Sequence, residues 1–456
     1  MTTLRHAALA AMALALASLP PSARAQDQDT TTETEPPAPV IAAPPPGVIQ
    51  VGELELRPQL ESRARAELRI DPLIGRDDLY FVTMRNRLGM DARFRDVRVL
   101  LQFQDARDFG VVEPTASTGA TTEVHQGFLQ IGGEQTFVRV GRQEIDWGSQ
   151  RFVGSLNWTS AARSFDAVRG RWSEGIVTLD AFGAWVRTVR AIFDARTGES
   201  AQSEGDWLAG TSASFVLAPV GRLGVYALYR HDGPTEVPST ITDPMQMGAY
   251  LDRQRDIVSP GVRLESEGRG PLRCELELVA QVGRVMDRDH VALAAVGEVH
   301  YRFDDVALAP SIGGGASYGS GAGADLAELD NFHPTNHARY GSADLIGLRN
   351  QAHGFVRAGI APRGTSLEVW ADVHLLALAE PGARWSDATG RTIAQDASND
   401  ERFLGTELDV EVRWRPDPHV ALWGGYALFA PGAGAARLGR EQVTHWAYLM
   451  LGVTLP

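Results

Sequence analysis

The sequence is poor in three features that would each point to a familiar class of protein. It has a single cysteine, Cys274, which excludes an internal disulfide framework. Beyond residue 50, no run approaches the roughly 18 consecutive apolar residues of a membrane-spanning helix. Basic residues are outnumbered: the formal net charge is −14, and without residues 1–25, which contain Arg5 and Arg24 but no acid, it is −16. That balance argues against a nucleic-acid partner, whose phosphates call for a basic surface.

Catalytic and metal-binding signals are equally scarce. Residues 332–350 contain Asn336, His337 and Asp344. This segment has neither a G-x-S-x-G nucleophile elbow nor the His and carboxylate spacing of a zinc protease. The EF-hand ligand pattern is also missing from the sequence. We therefore predict a protein that is not an enzyme and has no cofactor and no metal site, although acids in the external loops could hold calcium weakly. We interpret these three residues as hydrogen-bonding groups of a loop.

The N-terminus has the composition of an export signal followed by a linker. Arg5 precedes an apolar stretch at 7–19, and Ala23 and Ala25 form an A-x-A cleavage site, so residues 1–25 are predicted to be a cleaved signal peptide. Residues 26–50, rich in Thr, Glu and Pro, bury too little apolar surface to fold and are predicted to be a disordered tether. The remaining residues, 51–456, show no break in composition and are expected to form one domain.

What the sequence has in abundance is side-chain alternation with a period of two residues. At 59–69, Leu60, Ala64 and Leu68 share one face, whereas Arg63 and Arg65 share the other. A helix would scatter these charges around its circumference. The pattern predicts about 18 strands, many near the length of roughly 9–11 residues that crosses a bilayer with tilt. They lie at 59–69, 80–94, 97–107, 123–131, 136–143, 164–172, 176–186, 207–217, 223–230, 257–265, 272–284, 291–302, 306–318, 350–361, 366–379, 403–415, 420–429 and 445–455.

Short and long links alternate between these strands. Every second link is a tight turn, at 94–96, 132–135, 173–175, 218–222, 266–271, 303–305, 362–365 and 416–419. Most of the others are long, at 108–122, 144–163, 231–256, 319–349 and 380–402. Short periplasmic turns that alternate with long external loops are required by an outer-membrane barrel, whereas a soluble sandwich has no reason to sort its loops. We predict an all-β protein in which 51–456 form a single closed transmembrane antiparallel β-barrel of about 18 strands, in the outer membrane of a Gram-negative cell.

Four stretches of the sequence resemble the bacterial alginate-export family of outer-membrane barrels. They are GRQEIDWGSQRFVGSLNWTSAARSFDAVRGRW (141–172), FHPTNHARYGSADLIGLRNQ (332–351), GTELDVEVRW with GGYALFAPG (405–414 and 424–432) and HWAYLMLGVTL (445–455). The resemblance implies a monomeric pore of about 18 strands, surrounded by outer-membrane lipid. It also implies passage of the polyuronate alginate through an arginine-lined constriction, and periplasmic export partners.

A set of charged residues around the first of these stretches is the best candidate for the constriction. The candidate substrate-binding residues are Arg139, Arg142, Arg163, Arg169, Arg171 and Asp166. Arginine is always charged, and its planar group binds a carboxylate through two parallel hydrogen bonds. The alternative is a ladder of ion pairs that only braces the barrel wall, with Glu144, Asp146 and Asp166 as partners.

Alternation assigns most of these side chains to a face. Arg139, Arg169 and Arg171 point inward. Arg142 shares the outer face with Val140 by strict alternation, but a bulge at Gly141 could turn it inward. Inward positions of other strands are acidic, so negative charge also lines the predicted lumen: Glu368, Asp372, Glu407, Asp409 and Glu411.

Tryptophans recur near the ends of the predicted strands and are predicted to form the interfacial girdle of a barrel. They are Trp147, Trp158, Trp172, Trp185, Trp207, Trp385 and Trp446. Stacking against sugar rings is the alternative for Trp147 and Trp158, which lie inside a long loop.

These features together predict a passive outer-membrane channel in which arginines select an anionic polysaccharide, an alginate-like polyuronate, or its oligomers. The alternatives are a porin-like channel for small solutes and an outer-membrane hydrolase. Block of conductance by oligouronates distinguishes the first from the second, and turnover of an ester or lipid substrate would indicate the third.

Overall fold

A computed structural model describes residues 47–70, 78–110, 120–187, 191–194, 199–202, 205–233, 254–266, 270–286, 288–337 and 339–455. The predicted signal peptide (1–25) and most of the predicted tether (26–50) lie outside these ranges. Within the described part of the chain, no helix has the length and apolar character needed to span a bilayer.

Antiparallel strands make up most of the described chain. They are β1 Ile49–Val51, β2 Leu54–Ile70, β3 Leu79–Phe94, β4 Val97–Phe109, β5 Ala120–Gly132, β6 Phe137–Gln143, β7 Phe165–Glu174, β8 Val177–Arg187, β9 Ala191–Asp194, β10 Glu199–Gln202, β11 Asp206–Leu217, β12 Gly221–Asp232, β13 Arg255–Glu265, β14 Leu272–Val285, β15 Arg288–Arg302, β16 Ser311–Gly319, β17 Gln351–Ile360, β18 Leu367–Ala377, β19 Trp385–Ser386, β20 Thr392–Ala394, β21 Phe403–Asp417, β22 Val420–Pro431 and β23 Thr444–Leu455. A short helix, α1 (Ala433–Arg437), lies between β22 and β23.

The strands close into a barrel. Each of β2–β8, β11–β18 and β21–β23 is hydrogen-bonded to the next, and β2 pairs with β23, so that Leu60 lies opposite Leu455 and Ile70 opposite His445. β1 pairs with β2 just beyond the end of β23, while β9–β10 and β19–β20 are separate hairpins. The prediction of a closed antiparallel barrel of about 18 strands is confirmed.

Burial in this barrel is the reverse of that in a soluble protein. Arg63 and Arg85 on the inner face are each 3% exposed, whereas Leu88 and Val140 on the outer face are 61% and 50% exposed. A row of exposed apolar side chains along every strand would be unfavourable in water, but hydrocarbon satisfies it, and closure leaves no unpaired strand edge in the bilayer. The wall therefore spans a membrane, with a polar lumen inside.

One predicted strand is shorter than expected. β16 begins at Ser311 rather than at 306, because residues 303–310 form consecutive turns in which the Ala309 amide donates to the Val306 carbonyl at 2.9 Å. The Leu308 carbonyl accepts the Ala361 amide at 3.0 Å, so this link packs against the neighbouring short turn instead of extending the strand.

Three long loops, which join strands at the end opposite the short turns, fold into the lumen instead of projecting outward. We call loops 144–164, 320–350 and 378–402 together the plug. Val153 pairs with Trp147 and with His333, which joins the first two loops. Trp385 from the third loop donates Nε1 to the Leu345 carbonyl at 2.8 Å. The plug and the inner face of the wall share one apolar core, to which the plug contributes the fully buried Ile145, Val153, Leu329, Leu348 and Trp385.

Candidate functional site

Three of the predicted arginines face the lumen from neighbouring strands. Arg139 on β6 lies opposite Arg169 on β7. Arg169 donates to both oxygens of Asp180 on β8 at 3.0 and 2.8 Å, and Arg171 contacts the same carboxylate at 2.8 Å. Arg139 instead donates Nε and Nη2 to the neutral Gln130 Oε1 at 2.9 and 2.7 Å. We call these three arginines the arginine cluster, because they surround a single carboxylate.

The arginine cluster is partly exposed and lies toward the short-turn end of the barrel. The Arg171 side chain is 37% exposed, and within the described chain Arg139 forms no ion pair. Both residues lie near the short turns that precede β6 and follow β7. Short turns are periplasmic in outer-membrane barrels, so the cluster lies between the periplasmic opening and the plug.

Arg142 and Asp166 lie on the outer face. Pairing of β6 with both neighbours passes through Gly141 without a register shift. The bulge that could have turned Arg142 inward is absent from β6, because a bulge needs an extra residue on one strand and β6 has none. Arg142 therefore shares the face of Val140 and pairs at 3.4 Å with Asp166, whose side chain is 60% exposed.

Arg163 lies inside the plug and joins two of its loops. Its Nη1 donates to the carbonyls of Gly154 at 3.0 Å and Pro334 at 3.2 Å, and also to the His333 carbonyl. Burial lowers the pKa of Arg163 to about 10, so it stays charged at neutral pH. This geometry corresponds to the bracing alternative.

Buried ion pairs fasten the plug to the wall. Arg151, fully buried, contacts Glu275 at 2.5 Å and also pairs with Glu298; burial would lower the pKa of Arg151, but these carboxylates outweigh it and raise the pKa. Asp330 pairs with Arg230 at 2.8 Å. Burial would raise the pKa of Asp330, but the surrounding arginines outweigh it and hold the pKa at about 2. The plug is therefore attached by groups that keep their charge at neutral pH.

Four further arginines face the plug from β2 and β3, and our sequence analysis did not select them as site residues. We call Arg63, Arg65, Arg85 and Arg87 the basic wall. Arg63 donates to the carbonyls of residues 157, 158 and 159 at 2.7, 3.0 and 2.8 Å, and Arg85 donates to the carbonyls of 157 and 159 at 3.1 and 3.4 Å. The available signal was two adjacent predicted strands that each carry an inward Arg-x-Arg pair.

The inward acids predicted on β18 and β21 form a second charged surface. We call Asp372, Glu407, Asp409 and Glu411 the acidic wall; each is at most 3% exposed. The amides of Ser342 and Ala343 donate to Asp409 and Glu407, both at 2.8 Å, and the Ser342 hydroxyl donates to Glu411 at 2.8 Å. The second loop of the plug thus binds this wall through its N–H and O–H groups.

The tryptophan girdle is only partly present. Trp185, 42% exposed, contacts Trp207 with ring centroids 4.9 Å apart. Trp147, Trp158, Trp385 and Trp446 are at most 7% exposed and lie inside the barrel, so the girdle prediction is wrong for them. Trp158 is stacked on His337 at 3.8 Å and lies under the Arg65 guanidinium at 4.0 Å. Neither face of Trp158 is open to a sugar ring while the plug is in place.

The residues considered for hydrolysis serve structural contacts. His337 Nδ1 lies 3.0 Å from both oxygens of Asp344, and Asn336 Nδ2 donates to the Asn331 side chain and the Ala388 carbonyl. The sequence does contain one G-x-S-x-G match, around Ser317 at 315–319, but it lies within strand β16. A nucleophile elbow requires a sharp strand-to-helix turn, which this segment does not form.

Comparison with known proteins agrees with this architecture. A family model described as alginate export matches residues 54–445. No individually curated protein matches the chain in sequence. Among solved structures the barrel is similar to Pseudomonas aeruginosa OccK9 (OpdG), with a TM-score of 0.59 at 11% identity, covering 88% of this chain and 98% of that one. It is also similar to P. aeruginosa OccK5 (OpdH), with a TM-score of 0.57 at 11% identity and the same coverage.

A third similar structure is that of P. aeruginosa OpdK with vanillate, with a TM-score of 0.56 at 9% identity, covering 87% of this chain and 98% of that one. At these identities the likeness concerns the fold alone. The match of the family model covers nearly the whole barrel and includes the inward charges described above. The chain is a member of the alginate-export family, an outer-membrane β-barrel channel.

Proposed function

We propose that this chain is a passive channel for carboxylate-bearing solutes, an alginate-like polyuronate or its oligomers, which the arginine cluster selects. The observation that carries the proposal is the charge imbalance there: Asp180 pairs with Arg169 and Arg171, and within the described chain Arg139 is hydrogen-bonded only to a neutral amide. A uronate carboxylate would supply the missing partner through paired, charge-assisted hydrogen bonds. Weak sites of this kind attract an anion and still release it.

The plug gives reason to keep a second candidate, a porin-like channel for small anionic solutes. The plug folds into the lumen and is packed there against the wall, so a polymer needs a larger displacement of the plug than small carboxylates do. The similar barrel OpdK has been crystallised with vanillate. Chain-length dependence of transport separates the two candidates.

The proposal also includes the route to the membrane. We infer that residues 1–25 are removed during export, that the barrel is monomeric and that periplasmic partners deliver the substrate. A single barrel has a complete lumen wall, since β2 and β23 close it without a second copy.

The test is the reversal potential of the purified barrel in a planar bilayer under a KCl gradient. The wild type is expected to prefer chloride. Arg139→Glu is expected to lower the anion-to-cation permeability ratio by about fivefold, which corresponds to about 1 kcal/mol for one charge reversal near water. Arg95→Glu is the matched control, because Arg95 lies in a turn with its side chain 69% exposed. An unchanged reversal potential in Arg139→Glu would overturn the role of the cluster.

Oligouronates of increasing length then identify the substrate class. Block that strengthens with chain length, and is absent with neutral oligosaccharides, supports the polyuronate. Block by monouronate and vanillate-sized carboxylates alone supports the small-solute channel.

A further inference from the structure

One group of side chains in the acidic wall has a use beyond holding the plug. Asp372 and His374 are two residues apart on β18, and Asp409 on β21 lies directly opposite Asp372 in the sheet. Their exposed fractions are 3%, 2% and 1%. All three side chains therefore point to the same inner face and are shielded from bulk water.

The separations among these groups match those of metal ligands. His374 Nε2 lies 3.4 Å from Asp409 Oδ2 and 3.8 Å from Asp372 Oδ2, and one ligand atom from each residue lies within 4.8 Å of the others. An ion about 2.0–2.2 Å from each nitrogen and oxygen places its ligands roughly 3–4 Å apart. One cation between the three atoms needs little rearrangement.

Two carboxylate oxygens next to this position have no hydrogen-bond partner. Among the described residues, Asp409 Oδ1 and Glu407 Oε2 are buried and unpartnered, and Glu407 lies opposite His374 in the sheet. A buried carboxylate oxygen without a partner is costly. A cation bound by Asp409 and adjacent to Glu407 would remove that cost.

Neighbouring residues orient the three groups as a metal site requires. His353 Nε2 lies 2.9 Å from His374 Nδ1, so the tautomer with its proton on Nδ1 donates there and leaves Nε2 free as a ligand. Arg357 donates to both oxygens of Asp372, each at 2.6 Å. Partners that fix the ring and the carboxylate in this way are typical of the surroundings of bound metal.

We propose that His374, Asp372 and Asp409 bind one divalent transition-metal ion of the Zn²⁺ class in the lumen wall. The imidazole ligand favours such an ion over Ca²⁺ or Mg²⁺, which prefer oxygen ligands. This site departs from our expectation of no metal. It does not rest on the proposed substrate. The ion would offset negative charge of the acidic wall and link β18 to β21 beside the loop that binds them.

The test is metal binding by untagged barrel refolded from inclusion bodies into detergent, which avoids lipopolysaccharide and polyhistidine as competing ligands. After dialysis against chelator, the protein is equilibrated with Zn²⁺ in excess Mg²⁺, and bound metal is counted by mass spectrometry. We expect one ion per chain. Co²⁺ substitution is expected to give visible d–d absorption, and pulsed electron paramagnetic resonance should detect an imidazole nitrogen.

Variants distinguish this site from adventitious binding. His374→Gln and Asp409→Asn should weaken Zn²⁺ binding by about tenfold or more, whereas His300→Gln should leave it unchanged, because His300 contacts Glu298 and lies outside the cluster. Wild-type protein that binds no ion would overturn the proposal, and would indicate an imidazolium bridging two carboxylates. Equal binding by His374→Gln would also overturn it. If neither variant folds, the Co²⁺ spectra of the wild type decide, since a site without an imidazole ligand contradicts the assignment.

Discussion

The basic wall and the acidic wall bind the plug through opposite polar groups of its backbone. The basic wall binds carbonyls, whereas the acidic wall binds amides. Arg63 and Arg85 donate to carbonyls of the first loop at 157–159, and Arg85 also donates to the Asn157 side-chain oxygen at 3.4 Å. Asp409 and Glu407 bind the second loop through the amides of Ser342 and Ala343. A peptide group offers both a donor and an acceptor, so the sign of the wall decides which of the two faces it. The plug is thus placed by wall charge as well as by the apolar core that it shares with the wall.

The two walls differ in how replaceable these contacts are. Within the described chain, Arg63 forms no ion pair and is bonded only to carbonyls, so a substrate carboxylate could take the place of those carbonyls and gain charge. At the acidic wall an anion cannot replace the loop in this way, because the wall is itself negatively charged. We therefore expect the first loop to be the part of the plug that an anionic substrate displaces.

The largest expected effect comes from removing two arginines of the basic wall. Arg63→Ala with Arg85→Ala removes the donors to the carbonyls of 157 and 159, and each buried carbonyl left unpaired costs about 1–3 kcal/mol. The carbonyl of 158 keeps its bond from Arg65. The first loop should leave the wall, and single-channel conductance should rise severalfold. Arg363→Ala, in an exposed turn with its side chain 53% exposed, is the control. Conductance equal to wild type in the double variant would show that wall charge does not hold this loop.

A smaller effect is expected from the acidic side. Gly341 has φ +104°, and a Cβ there would lie 2.6 Å from the Glu407 carboxyl. Gly341→Ala adds this clash to a backbone strain of about 1–3 kcal/mol, so the amides of Ser342 and Ala343 should separate from the wall. Faster amide hydrogen exchange across 339–346 measures this.

Gly364→Ala is the control that distinguishes the steric clash with Glu407 from the backbone strain. Gly364 also has a positive φ, +74°, but a Cβ there meets nothing within 4 Å. Similar exchange changes at both sites would mean that backbone strain alone explains the result, and that the contact with Glu407 is unimportant.

The smallest expected effect comes from lowering the pH, which adds charge to the plug while both walls keep theirs. Burial, with Arg230 and Arg163 nearby, lowers the pKa of His333 from 6.5 to about 3, despite Asp232 and Asp330. His333 is neutral in the closed plug, but a released loop would bind a proton below about pH 6.5. Closure therefore weakens as pH falls from about 6.5 toward 3, by at most about 1.4 kcal/mol per pH unit.

Conductance between pH 7 and pH 4.5 measures this weakening. We expect a twofold to threefold rise in the wild type and none in His333→Gln. Asp330, whose pKa is held at about 2, stays charged throughout this range. The same rise in His333→Gln would assign the pH response to another group.

The sequence by itself determined the wall of this protein. A strand has a side-chain period of two, so alternation at 59–69 or 403–415 already separates the lipid face from the lumen face. The alternation of short and long links then indicates strands joined in sequence order, as a closed barrel requires. Arg139, Arg169 and Arg171 were placed correctly for that reason, and Arg142 belonged to the outer face by the same rule.

Only the tertiary structure decided what the lumen contains. Arg63 and Asn157 are 94 residues apart in sequence, and Ser342 and Asp409 are 67 apart. The loop groups that meet the wall are backbone carbonyls and amides, which every residue except proline carries and which therefore leave little mark in a sequence. Which loop turns inward, and which arginines it covers, therefore follows from the folded geometry of the whole barrel.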